Sequence, residues 1–96
     1  MRTIPVVFRR RIDDGVVALF PTLPGGPRAK LCKVYGPEGW GTAEYDSVIS
    51  LSFPALPAQY RALMHQLTKE LDCNLEVHKR ASANMHTCRL RSASRK

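Results

Sequence analysis

Two stretches rich in β-branched and apolar residues, residues 3–12 and 16–23, flank Asp13-Asp14-Gly15. Asp-Gly signals a two-residue hairpin loop, because glycine, and less readily aspartate, accepts positive φ. With Asp14-Gly15 as the loop, Ile12 lies opposite Val17, Arg10 opposite Leu19 and Phe8 opposite Pro21, and opposed residues share a face. One face then carries Val6, Phe8, Ile12, Val17, Leu19 and Leu23, interrupted by Arg10. The other carries Val7, Arg9, Arg11, Ala18 and Phe20. A three-residue loop with a bulge at Gly15 would shift the pairing by one residue and move Phe20 onto the face of Phe8. The first register gathers the apolar residues better and is the expected one.

Prolines and glycines in "PTLPGGPRAK" end the second strand. "AKLCKVYG" alternates Leu31, Lys33 and Tyr35 against Cys32 and Val34 and predicts a third strand. "GPEGWGTAEYD" reads as a loop. "SVISLSF" reads as a fourth strand, with Ile49, Leu51 and Phe53 on one side and Ser50 and Ser52 on the other. The period then changes. Tyr60, Leu63, Met64, Leu67 and Leu71 recur at steps of three and four, the stripe of an amphipathic helix over "PAQYRALMHQLTKELDCN". Pro57 suits its first turn, and Asn74 suits the left-handed position after its last. "LEVHKR" predicts a final strand with Leu75 and Val77 inward. "ASANMHTCRLRSASRK" has no sustained period and is expected to be disordered alone.

The expected fold is therefore α+β in the order β-β-β-β-α-β: a mostly antiparallel sheet of four to five strands with one amphipathic helix on one face. Residues 1–80 form one domain and residues 81–96 a basic tail. The sheet face without a helix, or a sheet edge, is the expected place for a partner, including a second copy of the chain.

Charge refines this picture. The 96 residues carry a formal net charge of +7. Residues 1–78 hold 9 Lys+Arg against 8 Asp+Glu, a balance of +1, whereas residues 79–96 hold 6 Lys+Arg and no acid. Basicity belongs to the end of the chain, where Lys79, Arg80, Arg89, Arg91, Arg95 and Lys96 could hold phosphates. Without a basic face on the core, a solvated tail is the leading reading. No apolar run approaches the roughly 18 residues that span a membrane. The first residues lack an export h-region with a cleavage site, and Cys32, Cys73 and Cys88 are odd in number and widely spaced. Reduced thiols in the cytoplasm are expected.

Candidate chemistry is sparse. Arg9, Arg10 and Arg11 cannot form one patch on a strand, because neighbours point to opposite sides. Arg9 and Arg11 share a face, expected to point away from the helix, and Arg9 lies opposite Phe20, where a cation–π contact is expected. Arg10 is expected near the rim on the other side. Trp40, between glycines, is either a lid on the sheet or an exposed anchor of the kind enriched at binding hot spots. Arg9, Arg11, Phe20 and Trp40 are thus the candidate partner-binding residues. Cys73, His78, His86 and Cys88 lack the paired spacing of zinc sites, so no metal and no cofactor are expected. Asp13 and Asp14 are explained by the turn, and no nucleophile sits in a strand–turn–helix elbow; no enzyme is expected.

The strand, Asp-Gly turn and "VVALFPTLPG" are similar to the first hairpin of HicB-type antitoxins, over the part of the chain that ends at Gly25. A longer resemblance covers residues 4–80. "VVFR" leading into "GVVALFP", a Cys/Tyr strand, a Gly-rich loop, "PALPAQYRALMHQL" and "LEVHKR" resemble short proteins carried on proteobacterial plasmids, integrative elements and phages. That resemblance implies no particular activity; by analogy with small mobile-element proteins that bind and modulate host machinery, and with no catalytic constellation in the residues, a non-enzymatic module that binds a protein or ribonucleoprotein of the host or the element is expected. An inhibitor of a host defence complex, anti-CRISPR-like, is one form of it. The second reading is a nucleic-acid-binding accessory protein using the tail with Arg9 and Arg11, and the third an antitoxin with a toxin partner.

Overall fold

The computed structural model describes residues 3–13, 15–25, 31–36 and 39–94. Strand β1 (Thr3–Arg11) is the centre of an α+β fold. It pairs antiparallel with β2 (Val16–Pro24), β2 with β3 (Leu31–Gly36), and β3 with β4 (Gly39–Glu44). The opposite edge of β1 is shared by two short strands. β5 (Ser52–Pro54) runs antiparallel to Arg9–Arg11, and β6 (Asn74–Val77) runs parallel to the stretch from Thr3 to Val6. Helix α1 (Tyr45–Ser50) joins β4 to β5, α2 (Pro57–Leu71) joins β5 to β6, and α3 (Ala83–Ser94) follows β6. Among the described residues no helix is long and apolar enough to cross a membrane.

Strand alternation splits the apolar residues between two layers. Ile4, Val6, Phe8, Ala18 and Phe20 face α2, whose Tyr60, Leu63, Met64, Leu67 and Leu71 close that layer, as the helical stripe predicts. Val7, Leu19, Cys32 and Tyr45 form a second cluster on the other face, joined by Val34, Val48, Ile49 and Ala81. The face expected to be bare is therefore covered.

Several expectations are corrected. The first hairpin pairs Arg10 with Val16 and Arg9 with Val17, three residues from the expected register. The Arg11 N–H donates to the Gly15 carbonyl at 2.8 Å, and the Asp13 carboxylate accepts the Gly15 N–H at 3.0 Å. The pairing thus ends at Arg11 and Gly15, Ile12 leaves the strand, and the odd shift puts Phe20 on the face of Phe8. Asp14 lies outside the described residues.

The stretch from Gly39 to Glu44, expected as loop, is a strand. Its pairing runs from Leu31↔Glu44 to Gly36↔Gly39, and Gly39 takes the positive φ of 97° that the hairpin end requires. Ladder hydrogen bonds and the Tyr35–Trp40 cross-strand contact outweigh the poor strand propensity of its glycines. "SVISLSF" is not one strand. Tyr45, Val48 and Ile49 stand at helical spacing and bury against the second face, so the chain crosses that face as α1 before entering β5.

Asp72, at φ 50° and ψ 48°, takes the left-handed position assigned to Asn74, which instead opens β6. Leu75 is buried as expected, but Val77 is exposed. The segment expected to be a disordered tail is largely α3. The Ser82 carbonyl accepts the N–H groups of Met85 and His86, the Ser82 Oγ also accepts that of Met85, and the Arg89 guanidinium donates to the Pro21 carbonyl at 2.9 Å. The helix packs on β2, so the boundary expected near residue 80 is no boundary.

Candidate functional site

The expected partner residues do not assemble into one exposed site. Arg9 lies opposite the α2 face, as its parity requires, but is buried beneath α1. Its Nε donates to Ser52 Oγ at 2.9 Å, and its Nη2 to the carbonyls of Ser52 and Ile49 at 2.7 and 3.1 Å. Phe20 is fully buried in the α2 layer, so no cation–π pair with Arg9 forms. Arg10 lies on the α2 face, its guanidinium 5.5 Å from the centre of the Phe53 ring. Arg11 pairs with Asp13 at 3.1 Å. The Gly15 N–H, and then Arg11, hold the Asp13 carboxyl below its ordinary pKa.

Trp40 is part lid and part surface. Its ring lies 5.6 Å from Phe20 and edge-on to Tyr35 at 4.9 Å, and its indole N–H donates to Glu70 on α2 at 3.3 Å. Of the basic residues, Lys79, Arg80 and Arg91 are exposed, Arg89 is buried against Pro21, and Arg95 and Lys96 lie outside the described residues. Among the described residues no three His, Cys, Asp or Glu side chains gather as a metal set.

A different surface stands out. Ile12, Leu51, Phe53 and Leu56 are 86%, 77%, 50% and 63% exposed, although each is a large apolar side chain. All four lie along the edge formed by β5 and its flanks. The local chemistry explains why they point outward. Ser52 is drawn in by Arg9, and its hydroxyl donates to the Val48 carbonyl. In a strand, fixing Ser52 toward the second layer turns Phe53 to the α2 face, where it stands half-exposed beside Arg10 at the sheet edge. Leu51 sits at the α1 C-terminus, its N–H taken by the Ser47 and Val48 carbonyls.

Leu56 occupies the N-cap of α2, where Ser, Thr, Asp or Asn is preferred because leucine offers no acceptor. Gln59 supplies the other half of a capping box, accepting the Leu56 N–H at 2.8 Å, and the Leu56 carbonyl accepts the Gln59 and Tyr60 N–H groups. Pro54 removes a strand donor and Pro57 starts the helix, so the apolar side chains are carried on a stiff segment.

A hollow lies on each side of this edge. One, of about 280 Å³, is bounded by Arg11, Ile12, Asp13, Val48, Leu51 and Ser52. The other, of about 580 Å³, opens where β5 and β6 part along β1. Its floor is Phe8 stacked on Tyr60, with ring centres 4.4 Å apart and planes within 6°. One wall runs from Pro54 to Pro57 and the other from Val77 to Lys79. The His78 N–H bonds to the Val6 carbonyl and the Ala55 N–H to the Phe8 carbonyl, which ties both walls to β1. The His78 ring pairs with Glu76 at the rim.

Of the expected site residues, Arg11 borders the smaller hollow and Lys79, expected as a phosphate contact, borders the larger. The signal available in the sequence was Pro54 directly after an apparent strand, which suits a sheet edge, and leucine where a helix cap belongs. No family model, no curated protein and no solved structure matches the chain.

Proposed function

We propose that the chain is a small non-enzymatic interaction module that binds and modulates a macromolecular partner through the apolar edge around β5. One observation carries this reading: Ile12, Leu51, Phe53 and Leu56, all on β5 or the segments beside it, are large apolar side chains left exposed, and hollows lined by Ile12 and Leu51 and by Leu56 lie next to them. Burying one such side chain is worth about 1.5–3 kcal/mol, so an uncovered row of four is a standing drive for association. The walls of the larger hollow are mostly hydrocarbon, and His78, its one imidazole, is engaged by Glu76. That composition suits recognition better than chemistry. In the setting implied by the resemblance to mobile-element proteins, the partner is a host or element-encoded complex, a defence complex among them.

Site-specific photocrosslinking in bacterial cells tests this. A benzophenone side chain at Leu56 should give a discrete adduct that untagged wild-type chain competes away, whereas the same group at Thr87, on the exposed side of α3, should not. Equal, diffuse labelling from both positions would sink the reading. Adducts to nucleic acid alone, concentrated near Lys79, Arg80 and Arg91, would favour the nucleic-acid reading instead.

A further inference from the structure

We propose that the hollow between β5 and β6 accepts a large apolar side chain from a short acidic segment of the partner protein. This rests on the interaction-module reading and names the chemistry of the occupant. The hollow's volume, about 580 Å³, falls among ligand-binding pockets of roughly 300–1,000 Å³. Its lining of Phe8, Ala55, Leu56, Tyr60 and Val77 offers almost only hydrocarbon, so what enters must be apolar.

What flanks the occupant is decided at the rim. Lys79 stands on one wall. Arg61, exposed, follows Pro57 by four residues and so lies one turn along the same side of α2, above the other wall. The first turn of α2 holds no acid, and no acid follows Glu76 in the chain. Glu76, beside Val77, is the one carboxylate near the Lys79 wall among the described residues; it bonds to the His78 ring and stands against the two cations Lys79 and Arg61. Cations therefore stand on both sides of an apolar hole, and carboxylates on either side of the inserted side chain complement them. A nucleic acid fits less well. The two rings in the floor are stacked on each other, with Phe8 buried, so the floor is not the exposed stacking platform that bases need.

The test uses the full chain. A displayed library of random dodecapeptides is panned against it, and enriched peptides are synthesised and titrated by fluorescence anisotropy. Enriched peptides should combine Leu, Phe, Trp or Met with neighbouring Asp or Glu. Leu56→Asp should weaken binding by about tenfold or more, and Lys79→Glu with Arg61→Glu by roughly tenfold. Exchanging the peptide carboxylates for lysines should restore binding to the charge-reversed variant. Arg91→Glu, on α3, should leave affinity unchanged, and every variant should keep its circular dichroism spectrum.

Enrichment of basic or uncharged peptides, no enrichment at all, or an equal loss in Arg91→Glu overturns the proposal. So does displacement of a bound peptide by oligouridylate at matching concentration. If these results coincide with a specific Leu56 crosslink, the occupant chemistry is wrong and the module reading stands. If the crosslink also fails, both readings fall.

Discussion

Arg9 and Ser52 are joined twice, through the Nε bond to the serine hydroxyl and the Nη2 bond to its carbonyl, and this pair fastens β5 to β1. The acceptors are neutral oxygens, with the Ile49 carbonyl as the third. Burial lowers the guanidinium pKa; Tyr45 opposes that shift and Arg80 adds to it. Buried hydrogen bonds to a charged group are among the stronger single contributions in a small domain. Arg9→Ala should therefore cost about 2–4 kcal/mol of unfolding free energy and Ser52→Ala about 1–3. Arg11→Ala, which breaks an exposed pair with Asp13, should cost less, about 0.5–1. Urea titrations of the three variants check the order. Equal losses at Arg9 and Arg11 would contradict the role assigned to Arg9.

Leu67 is fully buried at the middle of the α2 stripe, against Ile4, Val6, Phe8, Ala18 and Phe20. Leu67→Ala should cost about 2–5 kcal/mol, because a leucine cavity in a thin layer collapses poorly. Calorimetry should show the loss as a melting temperature lowered by about 8 °C or more, given roughly 4–8 °C per kcal/mol for a domain of this size. A shift of a degree or two would mean that α2 does not seat on this face.

How much of this was legible in the sequence follows from which forces set each element. The α2 stripe and the strands β1, β2 and β3 rest on their own periodicity, so pattern alone finds them. The hairpin register does not. It turns on Asp13 capping Gly15, a side-chain contact that competes with the Asp-Gly turn, and one such contact moved every residue of β2 relative to β1. β4 owes its form to its ladder with β3, and α1 to the need to cross the second face.

α3 was hidden because the residue buried at its inner side is Arg89, which a hydropathy pattern counts as solvent-facing. The candidate site was hidden for the converse reason. Leu51 and Phe53, alternating with serines, read as the core side of a strand, and only the buried Arg9–Ser52 contact shows that the serine points in.

His86 should make the attachment of α3 sensitive to acid. Its ring stands edge-on to Tyr45 with centres 4.9 Å apart. Burial, and then the nearby Arg89 charge, lower its pKa from the ordinary 6.5, while Asp46 opposes them. The folded protein therefore favours neutral imidazole. That contribution is fully present above pH 6.5 and is lost as pH falls through the lowered folded value. Melting temperatures measured from pH 7.5 to 5 should fall more steeply for the wild type than for His86→Asn. Parallel curves would show that His86 carries no such linkage.

The last prediction concerns removal of α3. A tail without structure could be cut away freely, but here the helix covers the second face of the sheet, where Leu19 and Cys32 are completely buried. Arg89, from the same helix, bonds to Pro21 and lies close enough to Cys32 to oppose the rise in its pKa that burial causes. Burial wins, and the thiol is pushed up to about 11, so at pH 8 it is both covered and protonated. A chain ending at Ser82 should lose this cover. Its melting temperature should fall, it should bind a hydrophobic dye, and Cys32 should react with an aromatic disulfide reagent. Full-length chain carrying Cys88→Ser is the control, because the truncation also removes that exposed cysteine. The control should react only slowly at Cys32 and Cys73, both buried, until denaturant is added. A Cys73→Ser background assigns the newly reactive thiol to Cys32. Unchanged melting and unchanged thiol reactivity after truncation would mean that α3 does not lie on β2, and that the second layer is closed by α1 alone.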